Sequence, residues 1–228
     1  MPLPNRGRQR QKLLALILAL FLVRGLLYLV AFPPWQHYDE PTHFEYVRLI
    51  AEQARLPQEG DYDLEMRREI AASMRETGFW ADLDSPAIDF WSATPPEIGM
   101  TELVHPPLYY MLLAVLQPLA AHQGVGLQLY LARLASVLLG LVVVISAYGL
   151  TAEVFPQRQM LPAAVAAVVA LVPPFVALTS SVNNDVGAAA AASLFLWVTV
   201  RMLRRSPSLW RWALVLLLAG ACFAAKST

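Results

Sequence analysis

Asp39 and Glu40 stand side by side in "PPWQHYDEPTHFEY", residues 33–46, immediately after the apolar run 13–32. A carboxylate at the end of such a run can serve as a general base or hold a divalent cation. It also suits the start of a helix, where Pro41 fits the first turn and an Asp favours the positive end. His37 and His43 flank the pair, and "DEPTH" sets Asp39 and His43 four apart, as in half of a zinc motif. Pro41 interrupts the continuous helix that such a motif needs, so His43 reads better as a hydrogen-bonding partner.

Two further clusters carry polar groups beside apolar runs. "VHPPLYY", residues 104–110, is a proline-enforced turn into an apolar helix, and it sets His105, Tyr109 and Tyr110 where polar tips meet the membrane interface. "SSVNND", residues 180–185, reads as an N-cap for the apolar run after it, with Asp185 in the first turn. Arg133, near the start of its run, and Lys226, just past the end of its run, are cations expected on the same side of the membrane as Asp39. Cations around a carboxylate suit a diphosphate or phosphodiester ligand, and structural ion pairing suits each of them equally well.

The elements that must position these groups are membrane helices. The chain has 228 residues, of which 57% are hydrophobic and 15% charged, and its mean hydropathy is +0.48, which excludes an ordinary soluble domain. Fifteen of the 17 acids fall between Asp39 and Glu102, and Lys plus Arg also number 17, so the zero net charge gives no reason to expect a nucleic-acid partner. Cys222 is the single cysteine, so no intrachain disulfide can form and no Cys-based metal site is supported.

Residues 1–12 form a basic lead, and 13–32 reads as an uncleaved span, since its exit is "FPPWQHYDE" and not a small-residue cleavage site. Four more runs, near 127–150, 160–179, 186–203 and 209–225, approach the ~20 residues of a crossing helix. The run 106–120 is shorter and has Pro near both ends, so it is expected to lie along the membrane surface or dip shallowly into it. With the N-terminus in the cytoplasm, five spans also put "RMLRRSPSLWRW" inside, as the positive-inside rule requires. The three polar clusters then share the outer face. The loop 33–126 is expected to be folded: "PTHFEYVRLIAEQARL" alternates an apolar face (Phe44, Val47, Ile50) with a charged one (Glu45, Arg48, Glu52), a second helix covers about 63–77, and Trp80 and Trp91 suit the headgroup level. Arg24, inside the first span, should face the bundle and pair with a carboxylate or a lipid phosphate, or reach along its stem toward an interface.

The motifs "DEPTHFEYVRLIAE", "HPPLYYMLLAVL", "ARLASVLLGLVVVISAYGLTAEVF" and "SSVNNDVGAAAAASLFL" together resemble the GT-C superfamily of polytopic glycosyltransferases. Within it the chain is similar to the protein O-mannosyltransferase and lipid A aminoarabinose transferase branch and its bacterial relatives. The resemblance implies an all-α integral membrane protein, a GT-C-like helical bundle with a large helical first outer loop, in a bacterial plasma membrane. It implies inverting transfer of a sugar from a polyprenyl-phosphate donor to an acceptor hydroxyl on a protein, lipid or polysaccharide. Asp39 would be the catalytic base with Glu40 beside it; His43, His105, Tyr109 and Asp185 would contact substrate; Arg133 and Lys226 would stabilise the phosphate. A divalent cation, if used, would draw on Asp39, Glu40 and Asp185. The family usually has more spans and often a C-terminal soluble domain, and the chain stops at "AGACFAAKST", so the sequence reads as part of something longer. A transporter or a lipid-binding assembly subunit is the competing class; midplane charge and broken helices would favour it.

Overall fold

The computed structural model describes residues 6–81, 96–205 and 208–226. Trp91 lies outside them, as does most of the irregular stretch around it. Among the described residues nine α-helices run in chain order: α1 (Arg6–Ala31), α2 (Glu40–Gln53), α3 (Leu64–Glu76), α4 (Leu108–Ala114), α5 (Val125–Val154), α6 (Leu161–Leu171), α7 (Pro173–Thr179), α8 (Asn184–Leu203) and α9 (Leu209–Ala225). No strand occurs among the described residues. The protein is a helical membrane protein.

Helices α1, α5 and α8 are long and apolar enough to cross a bilayer. Helices α6 and α7 make a fourth crossing if their 66° bend is part of one span. Helix α9, at 17 residues, stands at the lower limit of a span. Seven residues of α4 reach only ~10 Å, too short to cross, and a 3-10 turn at Gln117–Ala120 follows it. Helix α5 runs through the middle, packed on α1, α6 and α8. Gly149 allows the closest approach, where a Cβ would run into the Trp197 indole; a Cβ at Gly140 would stand 2.6 Å from the Phe21 ring, and one at Gly187 would stand 2.9 Å from Tyr109.

The bend between α6 and α7 has a local cause. Val172 takes extended backbone (φ −63°, ψ 113°) before Pro173 and Pro174, as residues preceding proline do. Pro174 has no N–H, so the carbonyl of Ala170 loses its helical donor. Arg24 supplies one instead, with Nη1 donating to Ala170 O at 3.0 Å. The expectation that Arg24 would reach a carboxylate or a lipid phosphate is thus corrected: it satisfies a carbonyl that proline leaves unpaired.

Helix α2 also differs from its amphipathic pattern, since both of its faces are covered and residues 40–49 are all buried. Its charged face is roofed by α3, through Arg67 to Glu45 and Arg48 Nη1 to Glu69 at 2.6 Å. Asp63 starts α3 by accepting from the Met66 amide at 2.8 Å. Trp35, fully buried, donates its indole N–H to Ser73 at 3.0 Å and so ties α3 to the chain between α1 and α2. Trp80 is half-buried against this loop core and packs edge-on to Phe79.

Candidate functional site

The C-terminal ends of α1 and α9 and the N-terminal ends of α5 and α8 meet at one end of the bundle, under α2 and α4. Asp39, the residue before α2, holds left-handed backbone (φ 50°, ψ 17°), which Asp tolerates better than most residues. Its carbonyl accepts from the His43 amide and the Thr42 hydroxyl, but its side chain makes no capping bond. The half-buried carboxylate is therefore not used to start the helix.

Glu40 is the opposite case. It is 0% exposed and accepts four hydrogen bonds: from Arg133 Nε (2.8 Å) and Nη2 (2.6 Å), from the Trp35 amide (3.1 Å) and from the Val182 amide (3.1 Å). Arg133, also 0% exposed, sends its remaining donors to the carbonyls of Leu29 (3.1 Å), Phe32 (2.9 Å) and Pro33 (3.1 Å). All five N–H groups of the guanidinium are used. The pair locks the end of α1, the start of α2, α5 and the 180–183 loop together. In this arrangement the polar atoms of Glu40, expected beside the catalytic carboxylate, and of Arg133, expected at the phosphate, are all engaged with each other and with the backbone.

Tyr109, expected to contact substrate, is engaged in the same way. It is fully buried, with its hydroxyl 2.7 Å from Ser136 Oγ and accepting from the Asn183 amide at 2.9 Å. It fixes α4 against α5 and the start of α8, and meets no solvent. The side chain of Asn183 then caps α8 by accepting from the Asp185 amide at 2.8 Å.

What remains open to a substrate is a smaller set. His105, a third exposed, lies 2.8 Å through Nε2 from the buried carboxyl of Glu102. Burial pushes the Glu102 carboxyl above its ordinary range, His105 opposes that, and the negative charge of Asp39 adds to it. His43, 4% exposed, has Nδ1 2.9 Å from the Tyr110 hydroxyl and 3.9 Å from Glu102. Burial holds its pKa down to about 4, with the neighbouring His105 acting in the same direction. His43 is thus a neutral hydrogen-bonding group at physiological pH, as its flanking position suggests. Tyr46 stacks on Tyr110 at 4.0 Å and donates to the His105 carbonyl at 3.2 Å, which sets the height of the His105 turn. Lys226 pairs with Asp185, and both side chains stay partly exposed.

Asp39, Glu102, His43, His105, Asp185 and Lys226 therefore share one electrostatic neighbourhood. Glu102 went unread in the sequence, although its spacing of three from His105 was the available signal. The set Asp39, Glu40 and Asp185 is not assembled around a metal position: Glu40 is tied to Arg133 and Asp185 to Lys226, and among the described residues no group of three or more His, Cys, Asp or Glu is gathered for one.

Residues 104–228 match the family model described as dolichyl-phosphate-mannose-protein mannosyltransferase. The chain belongs to this family. It is accordingly a membrane protein of a glycosyltransferase family. No curated protein and no solved structure matches it. The part matched to the mannosyltransferase family includes the HPPL turn, Arg133, Asp185 and Lys226, while Asp39 and Glu40 precede it. Helix α4, which the HPPL turn begins, is what carries the mannosyltransferase-family segment up to the loop that holds Asp39, through the Tyr110 contacts with His43 and Tyr46.

Proposed function

We propose that the chain moves a sugar from a polyprenyl-phosphate donor to an acceptor hydroxyl, with inversion, at the outer membrane surface where α1 ends, and that Asp39 is the base. The reading is supported most by one contrast: of the two adjacent carboxylates, Glu40 is fully engaged while Asp39 is held out on strained backbone without capping its helix. Strain of that kind gathers at functional positions.

In the proposed reaction the acceptor oxygen attacks the anomeric carbon as the bond to the lipid phosphate breaks. The acceptor proton passes to an Asp39 oxygen, and the phosphate leaves with the bonding pair. Lys226 is a partly exposed cation at this end and would exchange Asp185 for the phosphate as charge develops there. His105, steadied by Glu102, would hold a sugar or phosphate oxygen, and His43 and Tyr110 would keep that turn in place. The site lies at the membrane boundary, where a donor tail can remain in lipid while its headgroup meets a polar acceptor. The broken α6–α7 segment is a feature that a transporter would share, but the Arg24 bond to Ala170 accounts for it as a packing solution.

The test is Asp39→Asn. Asn tolerates left-handed backbone about as well as Asp, so the exchange removes the base and leaves the turn. Consumption of a panel of polyprenyl-phosphate sugars should fall by roughly 10²–10⁴-fold with donor binding unchanged. Turnover within tenfold of the parent would reduce Asp39 to a turn residue.

A further inference from the structure

The short segment that the HPPL turn begins has two faces. Met111, Leu112, Val115 and Leu119, at steps of three or four residues, are exposed, while Tyr109, Tyr110, Leu113, Gln117 and Ala120 are buried. An apolar stripe on a segment too short to cross a bilayer suits the membrane interface, which puts the buried side at headgroup level. There, between α2, the 3-10 turn and the start of α5, is a cavity of about 330 Å³ walled by Arg48, Ala51, Glu52, Gln117, Pro118 and Gln128. Gln117 is 5% exposed, and its Oε1 has no hydrogen-bond partner. An acceptor buried without a donor is costly, so one left in a cavity wall calls for a partner from outside the chain.

The donors of the wall are turned elsewhere. Gln117 Nε2 donates to the Gln128 carbonyl at 3.4 Å, and Gln128 Nε2 to the carbonyls of Ala120 (3.2 Å) and Gln123 (3.1 Å). Arg48 faces two carboxylates, with Nε 2.9 Å from Glu52 Oε1 and Nη1 2.6 Å from Glu69. Both Arg48 bonds to Glu52 end on Oε1, which leaves Oε2 of this half-exposed carboxylate to a ligand. The wall thus offers acceptors, one of them charged, to a group that donates.

We propose that this cavity takes the primary ammonium headgroup of a phospholipid, of the phosphatidylethanolamine class, from the leaflet on the Asp39 side. The ammonium donates to Gln117 Oε1 and Glu52 Oε2, and an acyl chain lies along Val115 and Leu119. An ammonium carries three donors and no acceptor, as such a wall requires. A choline headgroup has no N–H to give, and a glycerol headgroup has no positive charge. The inference rests on the interfacial reading of α4 and is independent of sugar transfer.

The experiment uses the whole chain in neutral detergent, titrated separately with short-chain phosphatidylethanolamine, phosphatidylcholine, phosphatidylglycerol and free ethanolamine, with bound molecules counted by native mass spectrometry. Saturable binding of phosphatidylethanolamine is expected, with the other two lipids and the free amine at least about tenfold weaker. Gln117→Met should weaken it about tenfold, the loss of one hydrogen bond to a charged group, and Glu52→Gln about threefold, the loss of a partly exposed charge. Glu65→Gln is the control, a more exposed carboxylate on α3 that pairs with Arg68 outside the cavity, and should stay within twofold. Equal binding of either other lipid or of free ethanolamine, unchanged binding in both cavity variants, or an equal loss in Glu65→Gln would each overturn the site. Helical circular dichroism separates a binding loss from misfolding; should Gln117→Met fail to fold, Glu52→Gln and the parent's choice among the lipids decide.

Discussion

Replacing Glu40 by Gln separates a structural carboxylate from a catalytic one. The Glu40 oxygens each accept two bonds, one from Arg133 and one from a backbone amide. An amide side chain has one acceptor oxygen, so its NH2 must face two of those donors whichever way it is turned. The exchange also leaves the Arg133 charge, 0% exposed, without its counter-ion. Breaking a buried pair from one side costs roughly 3–5 kcal/mol. Arg133→Met should cost as much, because it strands the carboxylate and the carbonyls of Leu29, Phe32 and Pro33 together. The double variant should not return to parental stability, since the backbone groups of both partners remain unpaired. It should nevertheless fall short of the summed single losses by about 2 kcal/mol, the coupling expected of residues in one network. Denaturant unfolding in mixed micelles, followed by tryptophan fluorescence with Trp35 at the pair, gives each value. If Glu40→Gln lost less than about 1 kcal/mol yet abolished sugar transfer, the argument would be refuted and Glu40 would return to the chemistry.

Three other perturbations follow from the same geometry. Because His43 titrates near 4 when folded and near 6.5 when unfolded, the unfolded chain binds the extra proton between those values, so stability should be full above pH 6.5 and decline as pH falls toward 4. The loss attributable to this group is at most about 3 kcal/mol, and His43→Gln should flatten that window in a pH series of thermal midpoints. Gly187→Ala would press a methyl onto Tyr109 at 2.9 Å and is expected to cost about 1–3 kcal/mol by denaturant unfolding, with the Asn183 bond to Tyr109 disturbed alongside. Lys226→Met removes a partly exposed ion pair, so stability should move by less than about 1 kcal/mol while sugar transfer falls at least about tenfold; an unchanged rate would remove Lys226 from the phosphate's path.

The sequence showed that three polar clusters gather at one end of the bundle, but not which charged groups there are engaged. Convergence was visible because "DEPTH", "VHPPLYY" and "NND" each border an apolar run, and alternating crossings bring such borders to one side of a membrane. The engagement of individual groups was not visible, because it depends on partners far apart in the chain. Glu40 and Arg133 are separated by 93 residues, and Arg24 and Ala170 by 146. A charged residue beside a membrane span looks the same in sequence whether it waits for a ligand or fills the unmet donors and acceptors of a helix end. Helix α2 makes the same point: Glu45 and Arg48 gave it a solvent face by pattern, and α3 closes that face with side chains from 21 and 22 residues further on. Of the adjacent acids, then, burial and hydrogen-bond count show which one is already committed. Glu40 holds the frame rigid by saturating Arg133, and that rigidity leaves Asp39, one residue earlier on a strained turn, as a carboxylate fixed in position yet uncommitted.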